Sequence, residues 1–74
     1  MMTILTDKGT AVFEIQSALR LLSKENVRIR PILTPDGIFG DETKLAVISF
    51  QHYIGMKETG IVDHETWEAI FNNY

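Results

Sequence analysis

Two stretches decide the fold: Gly37-Ile38-Phe39-Gly40-Asp41-Glu42-Thr43 and Gly60-Ile61-Val62-Asp63-His64-Glu65-Thr66. Each reads as a glycine turn, two apolar residues, a helix-cap candidate and a threonine three positions later. Ala46 and Ala69 then fall in matching places. A second echo joins Ile15-Gln16-x-x-Leu19 to Phe50-Gln51-x-x-Ile54. The pattern predicts two related turn-plus-helix units packed together. With only two units it is pseudo-symmetry rather than a solenoid.

Working outward, three segments carry helical periodicity. From Ala11 to Lys24, Val12, Ile15, Ala18, Leu19 and Leu22 form one apolar stripe. Thr10 is the expected N-cap, because its hydroxyl can accept an unpaired N–H of the first turn. The second helix is predicted over Asp41 to Ile54, with Thr43, Ala46, Val47, Phe50 and Ile54 on one side and Gly55 ending it. The third starts near Asp63, a good N-cap residue, and carries Thr66, Trp67, Ala69, Ile70 and Phe71. Between the first two helices lies a long connection with Pro31, Pro35 and Gly37. Pro31 keeps Arg30 out of helical geometry, and Thr34-Pro35-Asp36-Gly37 reads as a tight turn. Its apolar residues Val27, Ile29, Ile32 and Leu33 are expected to lie on the core. The fold class is therefore all-α: a compact three-helix bundle with a long first connection. We divide the chain into an N-terminal extension (1–8), one domain (9–71) and a short tail (72–74), which is expected to fray.

Composition narrows the chemistry. The chain has 74 residues, no cysteine and two histidines. A domain this small buries only about 60% of its unfolded surface, and here no disulfide can staple it. A histidine-based zinc site would need carboxylate help. The formal net charge is −3, the pI is about 5.2, and Lys and Arg form no stripe. Nucleic acid and anionic membrane surfaces are therefore disfavoured partners. Met1 to Asp7 shows neither the basic start nor the apolar run of a signal peptide. Localisation is therefore left open: a whole gene product would be made in the cytoplasm and leave only by lysis or a signal-free route, whereas within a larger exported protein the missing signal means nothing.

The motifs resemble a known family. Val12-x-x-Ile15-Gln16-x-x-Leu19-x-x-Leu22 is similar to the opening helix of the peptidoglycan-binding domain family. Asp36-Gly37-Ile38-Phe39-Gly40-x-x-Thr43-x-x-Ala46-Val47-x-x-Phe50-Gln51 resembles its central signature, and Gly55-Met56-x-x-Thr59-Gly60-x-Val62-Asp63-x-x-Thr66-Trp67 its closing one. The likeness covers about Gly9 to Ile70. It departs where the family has a Leu-Gly pair after the first helix: here Leu22 is followed by Ser23, and the link from Lys24 to Pro35 is long and apolar. The resemblance implies a bacterial or phage module that binds cell-wall peptidoglycan, glycan or stem peptide, without catalysis, and brings an associated protein to the wall.

Residue by residue, structural roles come first. Gly37 and Gly60 suit turns that a Cβ would obstruct. Gly40, Thr43 and Thr66 sit at helix starts, and Gln16 and Gln51 border apolar stripes, where a buried amide must find partners. Phe50 belongs to the core stripe. Trp67 is the sole tryptophan; a core anchor is the expectation, and a sugar-stacking platform the alternative. The candidate ligand-binding residues are Asp36, Phe39, Tyr53, Thr59 and Asp63, polar and aromatic groups around the two turns. Asp36, Asp41, Glu42, Asp63 and Glu65 mostly sit where acids serve helix starts, so no catalytic residue is assigned. Asp36-x-x-x-x-Asp41-Glu42 lacks the alternating oxygen ligands of a calcium loop, and neither a metal nor a cofactor is expected. A competing reading is a protein-interaction module on the same scaffold. Leu45, Ile48 and His52 lie opposite the core stripe of the second helix and could seat a second copy or a partner protein.

Overall fold

A computed structural model describes residues 9–73; the expected extension at 1–8 and Tyr74 lie outside the described residues. Three helices follow in order: α1 (Thr10–Glu25), α2 (Asp41–Ile54) and α3 (His64–Asn73). Ile38 and Asp63 make single bridge-type backbone pairings, and no longer strand occurs among the described residues. The expected three-helix bundle is observed.

The helices form where the apolar stripes and end signals agree. α1 packs against both α2 and α3. Val12, Ile15, Ala18 and Leu19 from α1 meet Ala46, Val47 and Phe50 from α2, with Val62 and Ile70 from the last unit. α2 spans the predicted residues. It ends at Gly55 in a left-handed conformation, with Met56 N–H donating to Gln51 O (2.8 Å) and Gly55 N–H to His52 O (3.2 Å). That pair of bonds is the Schellman arrangement, which satisfies carbonyls the helix leaves over. α3 starts behind Asp63, whose Oδ1 accepts the Thr66 N–H at 2.9 Å.

Four expectations need correction. Thr10 is not the cap of α1 but its first residue, and Gly9 occupies the cap with φ 120° and no side-chain cap bond. The cause is distant: Gly9 N–H donates to Gly37 O at 2.9 Å, which fixes a backbone shape that threonine would resist. In the long connection only Ile29 and Leu33 are buried; Val27 and Ile32 are 77% and 52% exposed. Polar ties set that alternation. Ser49 Oγ donates to Arg28 O (2.6 Å) and accepts from Arg30 N–H (2.9 Å), and Arg20 Nη1 holds Leu33 O (2.8 Å). Asn72 and Asn73 are not a tail beyond the last helix but continue α3, and Asn73 Nδ2 donates to Ala69 O at 2.8 Å. Trp67 is half-buried rather than a core anchor. Thr66 and Ile70, one turn apart, point inward. Trp67 follows Thr66 by one residue, a rotation of about 100° that carries it to the flank. There it packs against Phe71 with ring centroids 4.9 Å apart and the planes tilted 45°.

Candidate functional site

Two buried glutamines organise the molecule. Gln16 projects from α1 into the 36–43 turn. Its Oε1 accepts the N–H groups of Asp36 (2.9 Å) and Gly37 (2.8 Å). Its Nε2 faces Asp36 Oδ1 (3.0 Å), Ile38 O (2.9 Å) and Thr43 Oγ1 (2.9 Å). The two backbone donors aimed at Oε1 settle which end of the amide is oxygen. Asp36 Oδ1 also accepts Ile38 N–H at 2.9 Å, closing an Asx-type turn.

Gln51 repeats the device from α2. Its Oε1 accepts Gly60 N–H at 2.9 Å. Its Nε2 faces Thr59 Oγ1 (3.2 Å), Ile61 O (3.3 Å) and Thr66 Oγ1 (3.1 Å). Thr59 Oγ1 accepts Ile61 N–H at 3.1 Å, as Asp36 does for Ile38. Among the described residues no buried side-chain polar atom lacks a partner. A buried amide that is fully paired specifies one arrangement; unpaired, each group would cost about 1–3 kcal/mol.

The five candidate ligand-binding residues therefore divide. Asp36 belongs to the Gln16 clamp and Thr59 to the Gln51 clamp. Asp63 caps α3, and Phe39 is partly buried against the core. The Asp36 carboxyl is held below its ordinary range, chiefly by the Ile38 N–H and then by Gln16. Asp63 is lowered too, chiefly by the Thr66 N–H. These shifts come from turn and cap bonds, as expected of structural acids. Tyr53 stands apart. It is exposed and lines a groove of about 620 Å³ with Leu21, Lys24, Asn26 and Asn73, between the C-terminal ends of the helices.

The candidate partner surface on α2 is broken up. Leu45 is 55% exposed. Ile48 is half-buried beside Gly60, where a Cβ would come within 3.2 Å of Ile48 Cγ1. His52 is exposed, with Nδ1 2.8 Å from Glu58 Oε2. The second turn, at Gly60, lies against the side chains of Lys44 and Ile48.

Sequence reasoning named Trp67 and Phe71 but not the α1 residues beside them. Phe13, 48% exposed on α1, lines a pocket of about 430 Å³ with Glu14, Ser17, Trp67 and Phe71. A signal for it existed: Phe13 and Ser17 lie four residues apart beside the α1 core stripe.

Among the described residues, no group of three His, Cys, Asp or Glu side chains could hold a metal ion, and no helix is long and apolar enough to cross a membrane. The fold and the clamps define a class: a small helical module whose polar groups are spent largely on fixing its own turns. Residues 8–70 match the family described as "Putative peptidoglycan binding domain". That is most of the chain, and the protein belongs to the peptidoglycan-binding domain family. No solved structure matches it.

Proposed function

We propose that this chain binds bacterial cell-wall peptidoglycan without modifying it and brings an associated protein or activity to the wall. The supporting observation is the family match over residues 8–70, which spans both glutamine clamps. Fold alone would not carry this. A recognition role also suits the chemistry of the acids: Asp36 and Asp63 are engaged by backbone N–H groups, and their carboxyls are held ionised rather than poised near neutrality. Catalysis on the wall then falls to another domain or protein. Docking of a protein on α2 has less support, because the second turn lies against Ile48 and leaves Leu45, 55% exposed, as the exposed aliphatic side chain of the Leu45–Ile48–His52 patch.

The test is cosedimentation with purified, insoluble sacculi, with cellulose and the heat-unfolded chain as controls. The folded chain should pellet with sacculi and be released when a muramidase dissolves them. A chain that stays in the supernatant at every salt concentration contradicts the proposal.

A further inference from the structure

We infer that the pocket between α1 and α3, walled by Phe13 and Trp67, is where the chain holds the glycan strand of peptidoglycan rather than the stem peptide. This rests on the peptidoglycan reading above and makes it specific.

The pocket combines an apolar wall with unspent polar groups. Phe13 is a large aromatic ring left 48% exposed in a chain of 74 residues. The Trp67 ring is half-buried and tilted 45° against Phe71, which steadies it. Its indole N–H has no hydrogen-bond partner among the described residues, yet it is not sealed in the interior. Tryptophan placed this way offers an apolar face and one donor at its edge. The Glu14 carboxylate and the Ser17 hydroxyl complete the rim, and neither is engaged by another described side chain. The contrast with the rest of the molecule is informative. At the turns Asp36, Thr43, Thr59 and Thr66 are consumed by the clamps, whereas the polar groups of this pocket are free beside two aromatic rings.

Charge chooses between the two components of peptidoglycan. The pocket lining holds one carboxylate and no Lys or Arg. A stem peptide carries more carboxylates than amines, and its net negative charge would meet Glu14 with no Lys or Arg in the lining to balance it. The glycan is built of N-acetylated amino sugars, neutral along the strand. Their C–H faces suit aromatic rings, and their hydroxyl and acetamido groups suit one indole donor, one carboxylate acceptor and one hydroxyl. A volume of about 430 Å³ lies within the range of small-ligand sites.

The sole tryptophan supplies the probe. Neutral oligomers of N-acetylglucosamine, which carry the amino sugar without peptide or lactyl carboxylate, are titrated into the whole chain, and the indole Nε1–H resonance is followed by NMR. Isolated stem peptide is the parallel arm. Glycan is expected to shift the resonance and stem peptide to leave it in place. Phe13→Ala should weaken glycan binding about tenfold while the chain still melts cooperatively, with only a modestly lower melting temperature because about half of the ring is in solvent. Trp67→Phe, which keeps a ring and deletes the donor, should weaken it as well. A chain that pellets with sacculi while glycan leaves the indole resonance unmoved, or while stem peptide moves it, overturns the inference and leaves the broader reading standing. A wild-type chain that does not bind sacculi overturns both. Concentration-dependent shifts of the resonance without glycan would place a second copy in the pocket and also overturn it.

Discussion

The Gln16 and Gln51 clamps share a plan but differ in what surrounds them. In each, a helix glutamine grips a turn, a glycine with positive φ and a threonine from the next helix. The first turn uses Asp36 where the second uses Thr59, and the following helix starts at Gly40 where the other starts behind Asp63. Each unit thus spends one carboxylate on backbone N–H groups, one in the turn and one at the cap. α2 is 14 residues long and carries much of the core, and it forms without a side-chain cap bond. α3 has 10 residues and two buried ones, and it has the cap. Where packing is generous, local capping is dispensable; where it is thin, the cap matters.

Surroundings separate the clamps further. A Cβ on Gly37 would meet only Gly9 O, at 3.6 Å. On Gly60 it would come within 2.9 Å of Lys44 Cγ and 3.2 Å of Ile48 Cγ1. The first clamp is open at the surface, while the second lies under α2 side chains. Water can repair damage in one and not in the other.

The largest expected effect tests that difference directly. Gln51→Leu should cost about 3–5 kcal/mol, because the Gly60 N–H and the Thr66 hydroxyl are stranded out of water. Gln16→Leu should cost less, about 2–3 kcal/mol, since the N–H groups of Asp36 and Gly37 are nearer solvent. Urea denaturation of the two variants checks the order, and equal losses would break the comparison. Next come the glycines. Gly60→Ala should lose about 3 kcal/mol, combining positive φ with the clash. Gly37→Ala should lose about 1–2 kcal/mol from φ alone. Thermal melts that rank them the other way would refute the buried-versus-open distinction. The caps are third. Asp63→Ala should lose about 1 kcal/mol, and Gly40→Ser should gain at most a few tenths. If Gly40→Ser stabilises as much as Asp63→Ala destabilises, α2 was short of a cap after all.

The smallest effect lies in acid. Asp36 and Asp63 both have folded pKa values below the ordinary 3.8. Their contribution is present above that value and is lost as pH falls through the lower folded values, so stability should decline below about pH 4. Asp36→Asn with Asp63→Asn keeps acceptors in both places and should flatten that decline while changing little at pH 7. An unaltered acid limb would show that neither carboxylate is held by its turn.

Much of this was legible in the sequence because the signals are local. The bounds of α2 followed from Gly40-Asp41-Glu42 at one end and Gly55 at the other, each acting within one turn of helix. The echo of Gly37 to Thr43 in Gly60 to Thr66 announced both clamps, and the buried state of Gln16 and Gln51 followed from their place beside apolar stripes. The candidate ligand residues were legible as a set but not as a site. Asp36, Thr59 and Asp63 turned inward to local backbone, and nothing in the residue types distinguished that from an open groove.

What the chain alone determined was the element order, the two glycine turns and the family. Dihedral preference, capping and periodicity fix these over a few residues. Only the tertiary structure decided that Gly9 and not Thr10 caps α1, that Val27 and Ile32 face out, and that Trp67 lies on the flank. The same holds for Ile48, which packs beside Gly60. Each of these depends on a partner far along the chain: Gly37 O for Gly9, Ser49 for the Arg28–Arg30 backbone, Gln51 for Thr66, and the second turn for Ile48. A side chain's direction is set by which distant backbone groups must be paired once water is excluded, and that need exists only after the helices have met.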